Sequence, residues 1–422
     1  MVCSQGTGTL RSTAGSNSAA VTRQTVESQS LRIKAGHGSW WEPNRSRCLK
    51  FPHLEVLTMT TNLNAFQSRN PSNGEIFATH QGHSQTEIQA RIAQSHITWQ
   101  AWRRTPLTER CAMLVRLAEL LDSRAEQYGR LITQEMGKPL AEAIAEVKKA
   151  SNGARHFAEK GPEYLAPVPI EGLKARTVYE PLGPVFAVMP WNLPFWQVLR
   201  FFIPAALAGN TVLVKHAETV QGCARALEQL VSDAGAPEGL YLNLAIRRGA
   251  VEGIVTDPRV ACVTVTGSTQ AGRAVAAAAG AHGKKAVLEL GGSDPFIVFD
   301  DADLERAVTL GVLSRFSNNA QSCIAAKRFL VAEPIAEKFQ QAFVERTQAL
   351  RLGDPMLTDT QLGPLARADL REIVHAQVQA ALTQGGTLLC GGEIPKGHGN
   401  FYPATVIRGL LVFSAISDGT KS

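Results

Sequence analysis

Apolar residues recur at spacings of three and four over residues 86–102 and again over 108–136, where Leu114, Leu117, Leu120 and Leu121 are followed by Tyr128, Leu131 and Ile132. This spacing is that of amphipathic helices. A third helical pattern covers 140–159. Beyond Pro162, the stretch 165–179 carries Pro167 and Pro169 and then β-rich residues, and it reads as an edge hairpin because proline cannot donate to an inner ladder. From there short apolar runs alternate with helical patterns. Strands are predicted at 185–189, 211–215, 262–265, 285–290 and 296–299, and helices at 194–207, 221–234 and 270–281. The alternation resumes with a helix to about Phe316, a strand at 328–331 and a helix at 334–350. Such a series predicts βαβ units on a parallel sheet covered on both faces. No internal repeat is present.

Residues 1–58 lack this periodicity. They are rich in Ser and Thr and hold seven Lys and Arg against three Glu, so they are expected to be a disordered extension. The composition changes near Met59, which makes Met59 the expected true start; a transit peptide is the other reading of the extension. The turn signal Asn70-Pro71-Ser72-Asn73-Gly74 follows. The whole chain, at 422 residues, is long enough for two or three domains. Its net charge of +6 comes mostly from the extension, so it argues for neither nucleic acid nor an anionic membrane as partner. The most apolar stretch, 183–209, is interrupted by four prolines, Asn192 and Arg200, and is no membrane span. The seven cysteines are odd in number and none stands in a C-x-x-C pair. Reduced cytoplasmic thiols without a metal are therefore expected.

Four places could carry chemistry. Thr266-Gly267-Ser268-Thr269 is a small-residue turn between a strand and a helix, suited to a pyrophosphate or simply to a Ser268 or Thr269 cap. Lys215 and Glu218 follow a strand and lie at the carboxyl edge of the sheet, as ligands of a nucleotide or as a solvated pair. Glu289-Leu290-Gly291-Gly292 ends another strand, where two glycines admit a ligand close to the backbone. Cys323 sits in the polar loop Asn318-Asn319-Ala320-Gln321-Ser322-Cys323, as a nucleophile or as an inert small residue.

Taken in order, Pro190-Trp191-Asn192-Leu193-Pro194, the 209–215 strand, the Gly267-Ser268 turn, Glu289-Leu290-Gly291-Gly292 and Gln321-Ser322-Cys323 resemble the aldehyde dehydrogenases, over about residues 70–407. The 34-residue separation of Glu289 from Cys323 matches as well. Lys215-His216-Ala217 and the 289–299 stretch are most similar to the bacterial succinate-semialdehyde dehydrogenases that use NAD(P). The resemblance implies an α/β fold with a Rossmann-type coenzyme-binding domain at 59–290, bearing an oligomerisation hairpin at about 163–180, and a partial catalytic domain at 291–409. It implies Cys323 as nucleophile, Asn192 as oxyanion donor and Glu289 as general base. Trp191, Lys215, Glu218, Gly267, Ser268 and Leu290 would bind the coenzyme, and Arg200, eight residues after Asn192, would meet the distal carboxylate of the aldehyde. NAD is favoured over NADP because the Glu218 carboxylate repels a 2′-phosphate. A cytoplasmic homo-oligomer is expected.

Three departures from the pattern stand out. Ala320 replaces the glycine usual in the nucleophile loop, a strained choice if that residue is left-handed. Ser317 stands where other members carry a second Arg, with Arg315 nearby. After Ile407 nothing matches the E-E-x-F-G-P segment of the family, and 410–422 is an atypical tail. The C-terminus is therefore expected to be truncated, which leaves as the alternative an inactive member that at most binds nucleotide.

Overall fold

The computed structural model describes residues 64–409; the expected extension 1–58 and the tail 410–422 lie outside the described residues. The turn signal at Asn70 joins two antiparallel strands, β1 (Ala65–Arg69) and β2 (Ile76–Gln81). Gly74 is left-handed at φ 80° and donates its N–H to Asn70 O at 2.8 Å. Four helices follow: α1 (Gln85–Trp102), α2 (Leu107–Ser123), α3 (Ala125–Met136) and α4 (Leu140–Tyr164). A Ser84/Glu87 capping box opens α1.

Two helix boundaries differ from those predicted. The pattern over 108–136 forms two helices, because Arg124 leaves helical geometry at φ −109° and ψ 15° while its guanidinium reaches Asp233 at 2.5 Å. This bend turns Leu117 and Leu121 before it, and Tyr128 and Ile132 after it, into one core. Helix α4 runs five residues past its predicted end, through Pro162. The missing proline N–H falls in the last turn, and Gly161 lies so close to Leu207 that a Cβ there would stand 2.0 Å from its Cδ2.

A two-residue hairpin, β3 (Val168–Pro169) with β4 (Arg176–Thr177), leads into the alternating region. Its elements are β5 (Pro184–Val188), α5 (Trp196–Leu207), β6 (Thr211–Lys215), α6 (Gln221–Asp233), β7 (Tyr241–Asn243), α7 (Val251–Val255), β8 (Cys262–Gly267), α8 (Thr269–Ala281) and β9 (Lys285–Leu290). The five strands form one parallel sheet in the order β7-β6-β5-β8-β9. Strand β7, only three residues long, is too short to show a pattern in the sequence. Side chains alternate across the sheet: Ala187, Val212 and Val214 pack under α2 to α6, whereas Phe186, Leu213 and Val263 pack against α1, α7 and α8. The topology reverses at β5, so the loops after β5 and β8 open the crevice where doubly wound sheets bind ligands.

Beyond β9 come β10 (Asp294–Val298), α9 (Leu304–Phe316), β11 (Ala326–Val331), α10 (Glu333–Gln348), α11 (Ala368–Thr383), β12 (Thr387–Cys390) and β13 (Val406–Arg408). Strand β10 runs parallel to β11, and β12 pairs antiparallel with β13. Phe296, Phe329, Phe339 and Phe343 stack around Phe329 as the centre of a further core. Among the described residues no helix is long and apolar enough to cross a membrane.

Neither α5 nor α6 has a side-chain cap of its own, since Phe195 and Val220 occupy their cap positions. Buried glutamates from other helices take over. Glu146 of α4 accepts the N–H groups of Phe195 and Trp196, both at 2.9 Å, through Oε1, while its Oε2 pairs with Lys138. Glu135 of α3 accepts those of Gly222 at 2.8 Å and Cys223 at 2.9 Å. The side chains of Lys138 and Glu146 are 1% and 2% exposed, so removing one partner strands a charge. Glu146→Ala is expected to cost about 3–5 kcal/mol of stability. Glu146→Gln combined with Lys138→Met should recover part of it by keeping an acceptor for α5 without a buried cation. Denaturant unfolding of the three variants checks both statements.

Candidate active site

The loop that carries Cys323 begins with three consecutive left-handed residues, Asn318, Asn319 and Ala320, at φ 58°, 54° and 61°. The two asparagines are held by their own side chains. Asn318 Nδ2 donates to Asn192 O and Gln321 O, both at 3.0 Å, and the Asn318 N–H donates to Glu142 of α4 at 2.6 Å. Asn319 Nδ2 donates to Gly137 O and Pro364 O, and its Oδ1 accepts from the Gly363 N–H. Ala320 has no such device, so the strain expected at a non-glycine residue is present there. Arg315 lies beneath the loop, with its Nη1 3.4 Å from Ala320 O and its pKa lowered to about 10 by burial.

Cys323 ends this loop, half-buried and free. The Glu289–Gly292 turn passes against it: a Cβ on Gly292 would stand 3.4 Å from Cys323 O. Lys327 Nζ donates to Gly292 O, which ties the turn to the start of β11.

Asn192 lies in the loop after β5 and reaches the nucleophile loop directly, its Nδ2 donating to Gln321 O at 2.8 Å. His216, fully buried at the end of β6, fixes the same loop from below. Its Nε2 contacts Pro194 O at 2.9 Å and its Nδ1 accepts the Ala217 N–H at 2.9 Å. Those partners assign the proton to Nε2, and burial keeps the ring neutral with a pKa of about 4. Glu289, the penultimate residue of β9, is half-exposed, with Oε2 3.5 Å from Arg200 Nη2 of α5. The candidate base and the candidate carboxylate ligand thus face each other.

The coenzyme candidates gather at the carboxyl edge of the sheet. Ser268 caps α8, its Oγ accepting from Ala271 N at 3.3 Å, and nothing lies within 4 Å of a Cβ placed on Gly267. The helix N-terminus therefore has open space before it. Gly272 lets Leu290 approach α8, where a Cβ would meet Leu290 Cδ2 at 2.5 Å. Trp191 packs on the edge of the core under α5. Lys215 is buried rather than solvated; its Nζ lies 3.3 Å from His216 O, and burial lowers its pKa. Glu218 is half-exposed and paired with Arg247. A buried lysine, a carboxylate and an open helix N-terminus on one sheet edge fit a dinucleotide. Among the described residues no three His, Cys, Asp or Glu side chains cluster as metal ligands would.

Residues 58–417 match the model of the aldehyde dehydrogenase family. The succinate semialdehyde dehydrogenase Sad of Escherichia coli (strain K12), named as an NAD(P)+ enzyme, is 45% identical over 81% of this chain and 75% of its own length. The NADP+ succinate-semialdehyde dehydrogenase of Mycobacterium leprae (strain TN) is 46% identical over 81% and 76%. The solved succinic semialdehyde dehydrogenase of Streptococcus pyogenes, in complex with NADP+ as the cofactor, superposes with a TM-score of 0.81 at 34% identity, covering 83% of this chain and 78% of that one. The chain belongs to the aldehyde dehydrogenase family. It is an oxidoreductase with the family's mixed α/β fold.

The pattern reading of this dehydrogenase missed the residues that hold the site together: Lys138, Glu142, Glu146, Arg247 and Lys327. A signal existed for two of them. Glu142 and Glu146 fall one turn apart, in phase with the apolar stripe Ala143, Val147 and Ala150 of α4, where a solvated charge does not belong. Ala320→Gly should relieve the left-handed strain and raise stability by about 1 kcal/mol. Urea unfolding measures it, and an unchanged or lowered midpoint would show that Ala320 carries no strain.

Proposed function

We propose that the chain oxidises a short aldehyde with a distal carboxylate, succinate semialdehyde in the first instance, to the acid with NAD+ or NADP+. The observation that carries this reading is the position of Arg200: its guanidinium is half-exposed and 3.5 Å from the carboxylate of Glu289, so an anionic group is already accommodated next to it. The names of the relatives above point to the same substrate.

Cys323 adds its thiolate to the aldehyde carbonyl and forms a thiohemiacetal. The oxyanion is received by the Asn192 amide and the Cys323 N–H. Because Asn192 Nδ2 is anchored on Gln321 O, donor and nucleophile keep a fixed relation. A nicotinamide coenzyme held by Lys215, Glu218 and the Ser268 turn would supply the hydride acceptor, and loss of hydride from the former aldehyde carbon leaves a thioester on Cys323. Glu289 takes a proton from the water that attacks the thioester, and the acid leaves with the thiol restored. The substrate carboxylate competes with Glu289 for Arg200, so its arrival frees the base. This last step gives the ion pair a purpose beyond stability, which for two half-exposed groups is small.

On this reading the β3–β4 hairpin is an intersubunit arm, as its exposed Val168, Leu173 and Tyr179 suggest, in a homo-oligomer. The five described cysteines are all free, which suits the reducing cytoplasm.

Cys323→Ala should abolish aldehyde oxidation while leaving coenzyme binding intact; more than a few per cent residual turnover would overturn the assignment. Arg200→Gln should lower kcat/KM for succinate semialdehyde about 10- to 100-fold, the value of one hydrogen bond to a charged group. The same variant should change kcat/KM for propanal less than about threefold. Equal losses on both aldehydes, read by NADH or NADPH absorbance, would remove Arg200 from substrate recognition.

A further inference from the structure

The Glu218 carboxylate alone favours NAD over NADP by repelling a 2′-phosphate, but it does not stand alone. The loop leaving β7 brings Arg247 across the sheet edge, where its Nη1 donates to the Glu218 carboxylate. Its Nη2 donates to Ala65 O at 2.5 Å, and its Cζ lies 4.1 Å from the centroid of the buried Phe66 ring. Three contacts from β1 and the β6–α6 loop therefore fix a guanidinium that remains 45% exposed. Lys215 feels both charges: Glu218 raises its pKa, and Arg247 together with burial lowers it. A lysine and a glutamate would sum to zero at this edge, and the arginine makes the group cationic.

That difference decides what the ribose site tolerates. A hydroxyl at the 2′ position needs only the carboxylate as acceptor. A phosphate there is repelled by a free carboxylate but attracted by a held guanidinium, whose planar fork offers paired N–H donors and whose ordering cost is already met by its contacts. We propose that Arg247 is the specificity-determining residue of the coenzyme site, neutralising Glu218 and supplying the cation for a 2′-phosphate, so that the chain takes NADP as well as NAD. The proposal rests on the assignment of Lys215 and Glu218 to the adenosine ribose.

Titration calorimetry of the full chain with 2′,5′-ADP and with 5′-AMP tests it without any aldehyde turnover. The unsubstituted chain should bind 2′,5′-ADP at least as tightly as 5′-AMP. Arg247→Gln should weaken 2′,5′-ADP about tenfold or more and 5′-AMP less than about twofold, and Glu218→Gln should tighten 2′,5′-ADP several-fold. Arg247→Lys, which keeps the charge without the fork, should fall between, and it serves if the glutamine variant does not fold. Binding of 5′-AMP without 2′,5′-ADP, or an equal loss of both in Arg247→Gln, overturns the role of Arg247 and leaves the ribose assignment standing. Failure of both nucleotides to bind the unsubstituted chain overturns the ribose assignment and the proposal with it.

Discussion

The buried pair of Lys138 and Glu146 governs how the two halves of this site meet. Taking both charges out of water is expensive, and the cost is offset only because each remaining lone pair finds a partner. Glu146 meets that condition by accepting the first two N–H groups of α5, so the ion pair and the start of the helix that follows Asn192 form one unit. One turn earlier on α4, Glu142 accepts the Asn318 N–H of the Cys323 loop. Helix α4 thus sets the distance between Asn192 and Cys323. Gly137, just before it, adds a third tie by accepting from Asn319.

This arrangement also explains how a loop with three left-handed residues persists. Each non-glycine residue in that conformation costs about 1–2 kcal/mol, and Asn318 and Asn319 offset their share with side-chain hydrogen bonds to backbone carbonyls of three other segments. Ala320 offsets none of its own. A loop so tethered places Cys323 by constraint rather than by packing alone.

Charge is arranged alike on the two sides of the crevice. On one side Arg200 faces Glu289, and on the other Arg247 faces Glu218. In each case a carboxylate with an expected role in the reaction or in coenzyme choice is held by an arginine from a separate element. Neither pair is buried, so each can exchange its partner for a ligand at little cost. A buried pair such as Lys138 and Glu146 cannot, which is why that one serves structure.

Much of this was legible in the sequence. The period of apolar positions gave most of the helices and four of the five strands of the sheet, because burial of one face imposes its period on the chain whatever lies opposite; it gave neither the three-residue β7 nor α7 and α11. The ordered motifs and the 34-residue separation of Glu289 from Cys323 gave the family and the candidate residues. Pattern could not give the division at Arg124 or the extension of α4 through Pro162, since both depend on what packs against them, Asp233 and Leu207. Nor could it give the caps of α5 and α6, which show no capping residue of their own and borrow Glu146 and Glu135 from helices up to about ninety residues away. The pairings of Arg200 and Arg247 belong with these. A charge reads the same in sequence whether it faces water or another charge, and only the tertiary fold, by bringing distant segments within hydrogen-bond reach, decides which carboxylate each arginine meets.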